Sequence, residues 1–411
     1  MPITRTTRGK AASSASVKSS SDSAKLHIYV CGDGESGELG LGPRPIDGKK
    51  STGVKRPRIN PLLSASTVGV VQIAAGGMHC VALTLDQQIL TWGVNDDGAL
   101  GRDTKWEAPT RDIDGGSDEG DSDDEGDLNP KESIPTAIPR SAFGDVSGDF
   151  VQVVALNSAS FALTDNGLVY GWGIFRANDG VLGFSTASTL EGERTIPTRA
   201  GGLTPSRVAL PPIKYIAAGA YHSLAIAKDG AVYAWGANNF GQTGVPSSAG
   251  DANGVISAPT LVEGLAGYTV HGMAGGEHHS LAYTEEGQVL IWGRCDDGQA
   301  GMDLAGVPGD KLIFDDRGRP RILAPTLIPG LSSVAVVGAG IDHSFAVTSH
   351  GAAYSWGFGA NYRTGLGTDE TVGEPKEVLA GKGISVAACG GQFSVFSGPA
   401  DGGTSIYSKK P

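Results

Sequence analysis

The chain has 411 residues, of which 63 are glycine and 18% are charged, and its formal net charge is −12 at pH 7. Glycine is about twice as frequent as its ordinary share of roughly 7%. The sequence has neither a collagen period nor an apolar run of about 18 residues, so neither a collagen helix nor a membrane span is expected. Its polar beginning predicts no secretory signal, and the negative charge argues against a body that binds nucleic acid over its whole surface. Many glycines and many short apolar runs predict an all-β fold with tight turns.

The cysteines are too far apart in sequence to form a C-x-x-C pair, which disfavours a zinc ribbon and a disulfide-rich scaffold. They are Cys31, Cys80, Cys295 and Cys389. Because free cysteine is among the most frequently buried residue types, these side chains are predicted to be reduced thiols in the core of an intracellular protein.

Polar segments flank and interrupt the patterned part of the chain. Residues 1–25 are basic and poor in apolar side chains, so they are predicted to be a disordered tail. Its cationic side chains can contact DNA phosphates; the alternatives are a solvated linker and an import signal. These side chains are Arg5, Arg8, Lys10 and Lys18. The acidic segment 112–127 is predicted to be a self-repelling surface loop inserted into the ordered domain, and residues 399–411 are predicted to be a C-terminal tail.

A repeat of about 60 residues runs through the rest of the chain. Each whole unit holds a β-rich run, usually a G-x-x-H turn, a second apolar run, a polar turn, and a third apolar run that ends in Trp-Gly. The whole units cover residues 71–101, 151–183, 213–244, 270–301 and 334–367. Their anchors are Trp92, Trp172, Trp235, Trp292 and Trp356, spaced by 80, 63, 57 and 64 residues, and the longest interval contains the acidic segment.

A sixth unit is divided between the two ends of the patterned region. Residues 25–42 match the second half of a unit, with Cys31 in place of the tryptophan, and residues 384–398 match the first half. A unit split in this way closes a ring, because its terminal strands pair and leave no free sheet edge. The sequence therefore predicts one domain, 26–398, folded as a β-propeller of six repeats and sealed by pairing of the N- and C-terminal strands near Tyr29.

The turns and the recurrent histidines are interpreted as structural. Asp229-Gly230 separates two alternating apolar runs and predicts a hairpin, since glycine tolerates positive φ. The histidines recur once per unit and are spread around the ring, so each is predicted to bond to neighbouring backbone, and no metal site is expected. They are His79, His222, His279 and His343. The acidic pairs Asp96-Asp97 and Asp296-Asp297 are interpreted as turn residues. The G-x-S-x-G, H-E-x-x-H and P-loop motifs are absent, so neither covalent catalysis nor a cofactor is predicted.

Several phrases resemble the regulator of chromosome condensation family, whose founding member is the guanine-nucleotide exchange factor of the small GTPase Ran. They are CGDGESGELGLGP at 31–43, GWGIFRANDGVLGF at 171–184 and AACGGQFSVFSG at 387–398, and they are most similar to the fungal exchange factors. The family's ring has seven blades, whereas six are counted here. Either the ring closes with six blades, or the sequence has lost a unit between Gly183 and Ile213. The similarity of the flanking units to the third and fifth units of the family favours the loss.

The resemblance also implies which residues contact the GTPase. The family directs a hairpin, the wedge, at the phosphate-binding region of the GTPase, and the matching residues are Phe175, Arg176, Ala177, Asn178, Asp179, Gly180, Val181 and Leu182. On the exchange face, Glu35 matches an acidic residue and His278 matches a histidine. Asn157 stands where the family has a carboxylate, and Phe393 stands where it has a second histidine. The match of contact residues is therefore partial.

From this resemblance we expect a monomeric exchange factor for a Ran-type GTPase. It is expected in the nucleus on chromatin, with a cytoplasmic pool and no membrane partner, and the tail is expected to contact DNA or histones. Exchange needs no covalent chemistry, because it requires only a surface that binds the nucleotide-free GTPase more tightly than the loaded one. The alternative is a non-catalytic propeller scaffold that binds another protein or chromatin through its ring face.

Overall fold

The structure is a computed structural model, and it describes residues 25–108, 128–174, 176–177, 180–181, 206–208, 210, 212–247, 249 and 254–400. The tail residues Arg5, Arg8, Lys10 and Lys18, the acidic segment 112–127 and residues 401–411 lie outside these ranges, so their predicted roles stay predictions. Within the described ranges, no helix is long and apolar enough to cross a lipid bilayer.

The described residues form strands and loops with little helix, which confirms the all-β prediction. The strands are, in chain order, β1 (Leu26–Gly32), β2 (Val54–Ile59), β3 (Val70–Ala75), β4 (His79–Thr84), β5 (Ile89–Gly93), β6 (Thr136–Ala137), β7 (Phe150–Ala155), β8 (Ala159–Thr164), β9 (Val169–Gly173), β10 (Arg176–Ala177), β11 (Gly180–Val181), β12 (Ser206–Val208), β13 (Ile213–Ala218), β14 (His222–Ala227), β15 (Val232–Ala237), β16 (Val255–Leu261), β17 (Val270–Gly275), β18 (His279–Thr284), β19 (Val289–Arg294), β20 (Leu312–Phe314), β21 (Pro320–Leu327), β22 (Val334–Ala339), β23 (His343–Thr348), β24 (Ala353–Gly357), β25 (Val372–Val378), β26 (Val386–Cys389) and β27 (Phe393–Pro399). A short α-helix, α1 (Pro130–Ser133), and 3-10 turns at Pro61–Leu63, Asp96–Gly98, Arg140–Phe143, Glu263–Leu265, Leu304–Gly306 and Ala360–Tyr362 lie in the connections.

The strands form six radial antiparallel sheets, which we call blades. From the axis outward they are blade 1 (β26-β27-β1-β2), blade 2 (β3-β4-β5-β6), blade 3 (β7-β8-β9-β12), blade 4 (β13-β14-β15-β16), blade 5 (β17-β18-β19-β21-β20) and blade 6 (β22-β23-β24-β25). The innermost strands contact one another around the ring, β3 with β7, β7 with β13, β13 with β17, β17 with β22, β22 with β26, and β26 with β3. The chain is therefore a closed β-propeller of six blades.

Ring closure depends on the antiparallel pairing of β1 with β27. The register places Tyr29 opposite Phe396 and Gly32 opposite Phe393. The predicted split of one unit between the two ends of the domain is confirmed, and the six blades close without a gap between the innermost strands. Whether a seventh unit was lost from the sequence stays a prediction.

The middle of each blade is buried on both sides, because neighbouring blades pack face to face. Every residue of the second strands β4, β8, β14 and β23 is buried, whereas the outer strand β2 is largely exposed. The predicted hairpin of blade 4 is present, and its Gly230 has φ +95°, a left-handed conformation that favours glycine.

All of the cysteines are free and buried, as predicted. Burial raises the pKa of the Cys31 thiol to about 12, with a smaller opposing effect from a hydrogen bond to the backbone of Ser394. The thiol is therefore protonated at neutral pH and acts as a small apolar side chain.

Tryptophan side chains attach blades 2, 3, 5 and 6 to the blades that precede them. Trp92, Trp172, Trp292 and Trp356 are fully buried. Their indole Nε1–H groups donate at 2.9–3.0 Å to main-chain carbonyls in the loop after the third strand of the preceding blade. These acceptors are Glu38, Ala99, Gln242 and Gln299. The remaining anchor, Trp235 of blade 4, is only partly buried.

The recurrent histidines form a second set of contacts between blades. Each imidazole Nε2 lies 2.7–2.9 Å from the Oγ of a serine on the next blade, in the pairs His79–Ser160, His222–Ser280, His279–Ser344 and His343–Ser394. The predicted bond to neighbouring backbone is present at His79, whose ring also bonds to the backbone of Ala159 and Asn157. At all four histidines, face-to-face packing adds a serine hydroxyl of the next blade, which the sequence did not predict. Burial lowers the pKa of His79 to about 4 and that of His222 to about 3, so these rings are neutral at neutral pH.

Candidate functional site

One face of the ring, which we call the upper face, carries two sets of loops. It holds the turns between first and second strands, at 76–78, 156–158, 219–221, 276–278, 340–342 and 390–392, and the loops after the third strands, which begin at residues 33, 94, 174, 238, 295 and 358. The register places both sets at the same end of a blade; in blade 5, Gly275 opposes Ser280 and His279 opposes Gly293. The turns of all six blades line a small axial cavity of about 30 Å³.

The predicted face residues lie in upper-face loops. Glu35 follows β1 and is exposed, Asn157 lies in the β7–β8 turn and lines the axial cavity, and His278 ends the β17–β18 turn. Phe393, matched by resemblance to a face histidine, is instead fully buried, and its ring packs over Gly390 as the structural histidines pack over the glycines of other blades. Phe393 is therefore a core residue.

The segment that matches the family's wedge contains an antiparallel hairpin. β10 pairs with β11, which places Arg176 opposite Val181 and Ala177 opposite Gly180. This two-stranded sheet is separate from the six blades and follows β9 on the upper face. The other predicted wedge residues, Phe175, Asn178, Asp179 and Leu182, lie outside the described residues. Contact between the hairpin and a GTPase stays a prediction.

His278 is held in an aromatic stack between two blades. Its ring centroid lies 5.9 Å from that of Tyr221, with 25° between the planes, and 4.3 Å from that of Phe240. Burial, followed by the positive charge of Arg294, lowers the pKa of His278 to about 3. The ring is therefore neutral at neutral pH, and 15% of its side-chain surface remains exposed. The tandem histidines do point different ways, since neighbouring His279 bonds to blade 6.

An ion-pair cluster beside His278 was missed by the sequence interpretation. Arg294, the last residue of β19, bonds to Asp296, to Asp297 at 2.7 Å, and across the blade boundary to Asp342 at 3.3 Å. Gln299 also donates to Asp342, at 2.9 Å. The Asp296-Asp297 pair does lie in a turn, but it also neutralises an arginine. The available signal was the charge of Arg294 two residues before the pair.

These features suit the upper face to protein binding. It offers aromatic rings, an arginine fixed by carboxylates, and turns tied together by main-chain hydrogen bonds between blades. Rigid, pre-organised surfaces of this kind lose little conformational entropy when a partner binds. Across the described ranges, no group of three or more His, Cys, Asp or Glu side chains is arranged to hold a metal ion.

Family models match the patterned part of the chain. An RCC1-like domain matches residues 189–396. The regulator of chromosome condensation (RCC1) repeat matches residues 27–83, and a second model of this repeat matches residues 70–99. These matches span both halves of the ring.

Curated relatives are similar over nearly the whole chain. Protein pim1 of Schizosaccharomyces pombe is 38% identical over 423 aligned residues, which cover 91% of this chain and 75% of pim1. Guanine nucleotide exchange factor SRM1 of Saccharomyces cerevisiae is 34% identical, and the alignment covers 91% of this chain and 87% of SRM1. Because the alignment with pim1 is longer than the chain of 411 residues, pim1 contains residues within the aligned region that this chain lacks.

Solved structures of a yeast relative are similar in fold to this chain. The crystal structure of yeast RCC1 (Prp20) bound to Kap60 has a TM-score of 0.71 and 31% identity, and the alignment covers 97% of this chain and 96% of that chain. A second structure of Prp20p from Saccharomyces cerevisiae has a TM-score of 0.68 and 31% identity, with 94% and 96% covered. The repeats, the closed propeller and the 38% identity with pim1 together establish that this chain belongs to the regulator of chromosome condensation family.

Proposed function

We propose that this protein is a guanine-nucleotide exchange factor for a Ran-type small GTPase and that its upper face is the exchange surface. The observation that carries the proposal is the convergence of Glu35, Asn157, His278 and the β10–β11 hairpin, which are far apart in sequence, on one face of the ring. The name of SRM1, an exchange factor 34% identical to this chain, supports the same function. The crystal structure of Prp20p from Saccharomyces cerevisiae is described together with the binding of that protein to Gsp1p and histones.

The exchange follows from differential binding and involves no covalent step. A surface that binds the nucleotide-free GTPase more tightly than the loaded one raises the rate at which GDP leaves. The turns of the upper face are tied between blades, so the face can act as a fixed surface against which a partner must adapt. Gly77 donates to the Leu156 carbonyl at 3.2 Å, and Gly391 donates to the Gly77 carbonyl at 2.8 Å.

Asn157 is the point at which this face departs from the expected pattern. Its amide is neutral where the resemblance implies a carboxylate, so it can accept a hydrogen bond but adds no charge. The exchange surface of this chain must therefore obtain negative charge at the axis from another residue if its partner presents a cation there.

The proposal extends to location. We place the protein in the nucleus on chromatin, as a monomer, with its basic tail in contact with DNA or histones. The cationic residues of this tail include Arg5, Arg8, Lys10 and Lys18.

Binding of the full chain to nucleosomes should weaken as salt rises, because each phosphate contact releases counterions. Replacing the four cations by glutamine should reduce the slope of that salt dependence, and light scattering of the unaltered chain should give the mass of one chain.

The central experiment measures release of fluorescent GDP from a purified Ran-type GTPase with substoichiometric amounts of the full chain. We expect release to accelerate and to continue through many turnovers, while a small GTPase from another family shows no change. Release from the Ran-type GTPase at its intrinsic rate would overturn the proposal. Release at the intrinsic rate, together with capture of a protein other than the GTPase or of chromatin through the ring face, would instead support the scaffold alternative.

A further inference from the structure

Glu277 has an unusual position at the centre of the upper face. It lies in the β17–β18 turn, next to His278, and its neighbours along the cavity are mostly glycine and alanine. Two of the described residues that line the axial cavity, Glu277 and Cys389, have ionisable side chains. Burial raises the pKa of the Cys389 thiol well above its usual value, so at neutral pH only Glu277 can carry a charge there. A single carboxylate therefore lies at the mouth of an otherwise uncharged opening.

The backbone of Glu277 is fixed by the next blade. Its N–H donates to the carbonyl of Gly340 at 3.1 Å and to that of Ile341 at 3.3 Å. These bonds fix the main chain of Glu277 relative to blade 6. Because this backbone is already ordered, only the side-chain torsions of Glu277 must be fixed when its carboxylate meets a partner.

The carboxylate of Glu277 forms no ion pair with a lysine or arginine within the described part of the chain. The nearest basic atom is Nε2 of His278 at 3.8 Å, and this ring is neutral at neutral pH. Arg294 is already engaged by Asp296, Asp297 and Asp342. Burial, and then the negative charge of Asp342, raise the pKa of Glu277, against a smaller opposing effect of the positive charge of Arg294.

A half-buried carboxylate without a close cation is unfavourable for folding, because it gives up hydration without gaining an ion pair. Only 24% of its side-chain surface is exposed. Groups with this unfavourable setting in a cleft are typical of binding sites, where a ligand supplies the missing charge. The missing charge here is positive.

We propose that Glu277 is a contact residue for a lysine or arginine side chain of the bound GTPase, at the axial mouth of the upper face. It supplies the negative charge that Asn157, which lines the same cavity, lacks. The inference rests on the proposed exchange function, and it adds to that function the residue and the chemical class of the group that it recognises.

The test compares Glu277→Gln with Glu285→Gln in the full chain. Glu285 lies in the same blade, in the exposed turn between β18 and β19 at the opposite face, so each variant removes one negative charge. We expect Glu277→Gln to lower kcat/KM for GDP release by about ten-fold, in the range of interfacial charge pairs, and to reduce its salt dependence. Glu285→Gln should match the unaltered protein in both measurements.

Thermal unfolding separates a contact role from a structural one. If Glu277 serves the partner and not the fold, Glu277→Gln should unfold at the same or a higher temperature while exchange falls. Loss of exchange together with a lower unfolding temperature would overturn the inference, as would exchange and salt dependence equal to those of the unaltered protein. If the unaltered protein fails to accelerate release, the proposed function itself fails, and the inference fails with it.

Discussion

Leu156 and Ala159 replace, as a pair, the glycine and histidine that other blades carry at the same positions. Those pairs are Gly76 and His79, Gly219 and His222, Gly276 and His279, and Gly340 and His343. The ring lies directly over the glycine: a Cβ at Gly219 would be 2.3 Å from Cε1 of His222. Leu156 is buried where the ring would lie, and Ala159 leaves room for it. Blade 3 therefore has no imidazole to bond to blade 4, and among the described residues the buried Oγ of Ser223 has no hydrogen-bond partner.

Restoring histidine at position 159 should reveal this competition for space. We expect Ala159→His alone to destabilise the protein by about 1–3 kcal/mol, because it overpacks a filled site. In combination with Leu156→Gly the new ring can reach Ser223. The double variant should therefore be more stable than the sum of the two single effects, by about 1 kcal/mol or more in a urea double-mutant cycle. Strict additivity would contradict the proposed steric coupling.

Removing one of the existing imidazoles should weaken a blade boundary. We expect His222→Ala to lower the free energy of unfolding by about 2–4 kcal/mol, because it leaves a cavity and removes the hydrogen bond to Ser280. His350→Ala is the matched control, since His350 is exposed in the turn between β23 and β24. Urea unfolding of both variants measures the difference, and equal midpoints would show that the buried contact contributes nothing.

The buried histidines should make stability depend on pH in the acidic range. The pKa of His279 falls to about 3 in the fold, chiefly through burial, against about 6.5 in an unfolded chain. Between these values only the unfolded chain binds the proton, so stability is fully present above pH 6.5 and declines as pH falls towards 3. His279→Asn should reduce the slope between pH 6 and pH 4.5 by about 1.4 kcal/mol per pH unit. Urea unfolding at several pH values checks this, and an unchanged slope would refute it.

The β10–β11 hairpin should be needed for exchange but not for the fold, because its sheet is separate from the blades. Replacing residues 176–181 by two glycines should lower kcat/KM for GDP release by at least about 100-fold if the hairpin makes transition-state contacts. The unfolding temperature should stay within a few degrees of the original. A variant that keeps its exchange activity would exclude the hairpin as the wedge.

The boundary between blades 3 and 4 coincides with the interval, 183–213, from which the sequence predicts a lost unit. We expect a transcript sequenced across these codons to contain an additional in-frame stretch of about one repeat, with a G-x-x-H turn whose histidine pairs with Ser223. A transcript that matches the present sequence without interruption would establish a six-bladed member of the family.

The sequence by itself determined the repeat, the all-β class, the ring and the pairing of its ends. Tryptophans and hairpin glycines recur at a fixed period and mark strands and turns through local chemistry, so a linear pattern is enough to find them. It also indicated the hairpin and, through resemblance, the face residues Glu35, Asn157 and His278. Only the tertiary structure decided which partners meet across blade boundaries. The serine partners of the histidines, the ion pairs of Arg294 and the position of Glu277 at the axial cavity all depend on how one blade faces the next. Such contacts join residues dozens of positions apart, at distances and burial that a linear pattern does not encode.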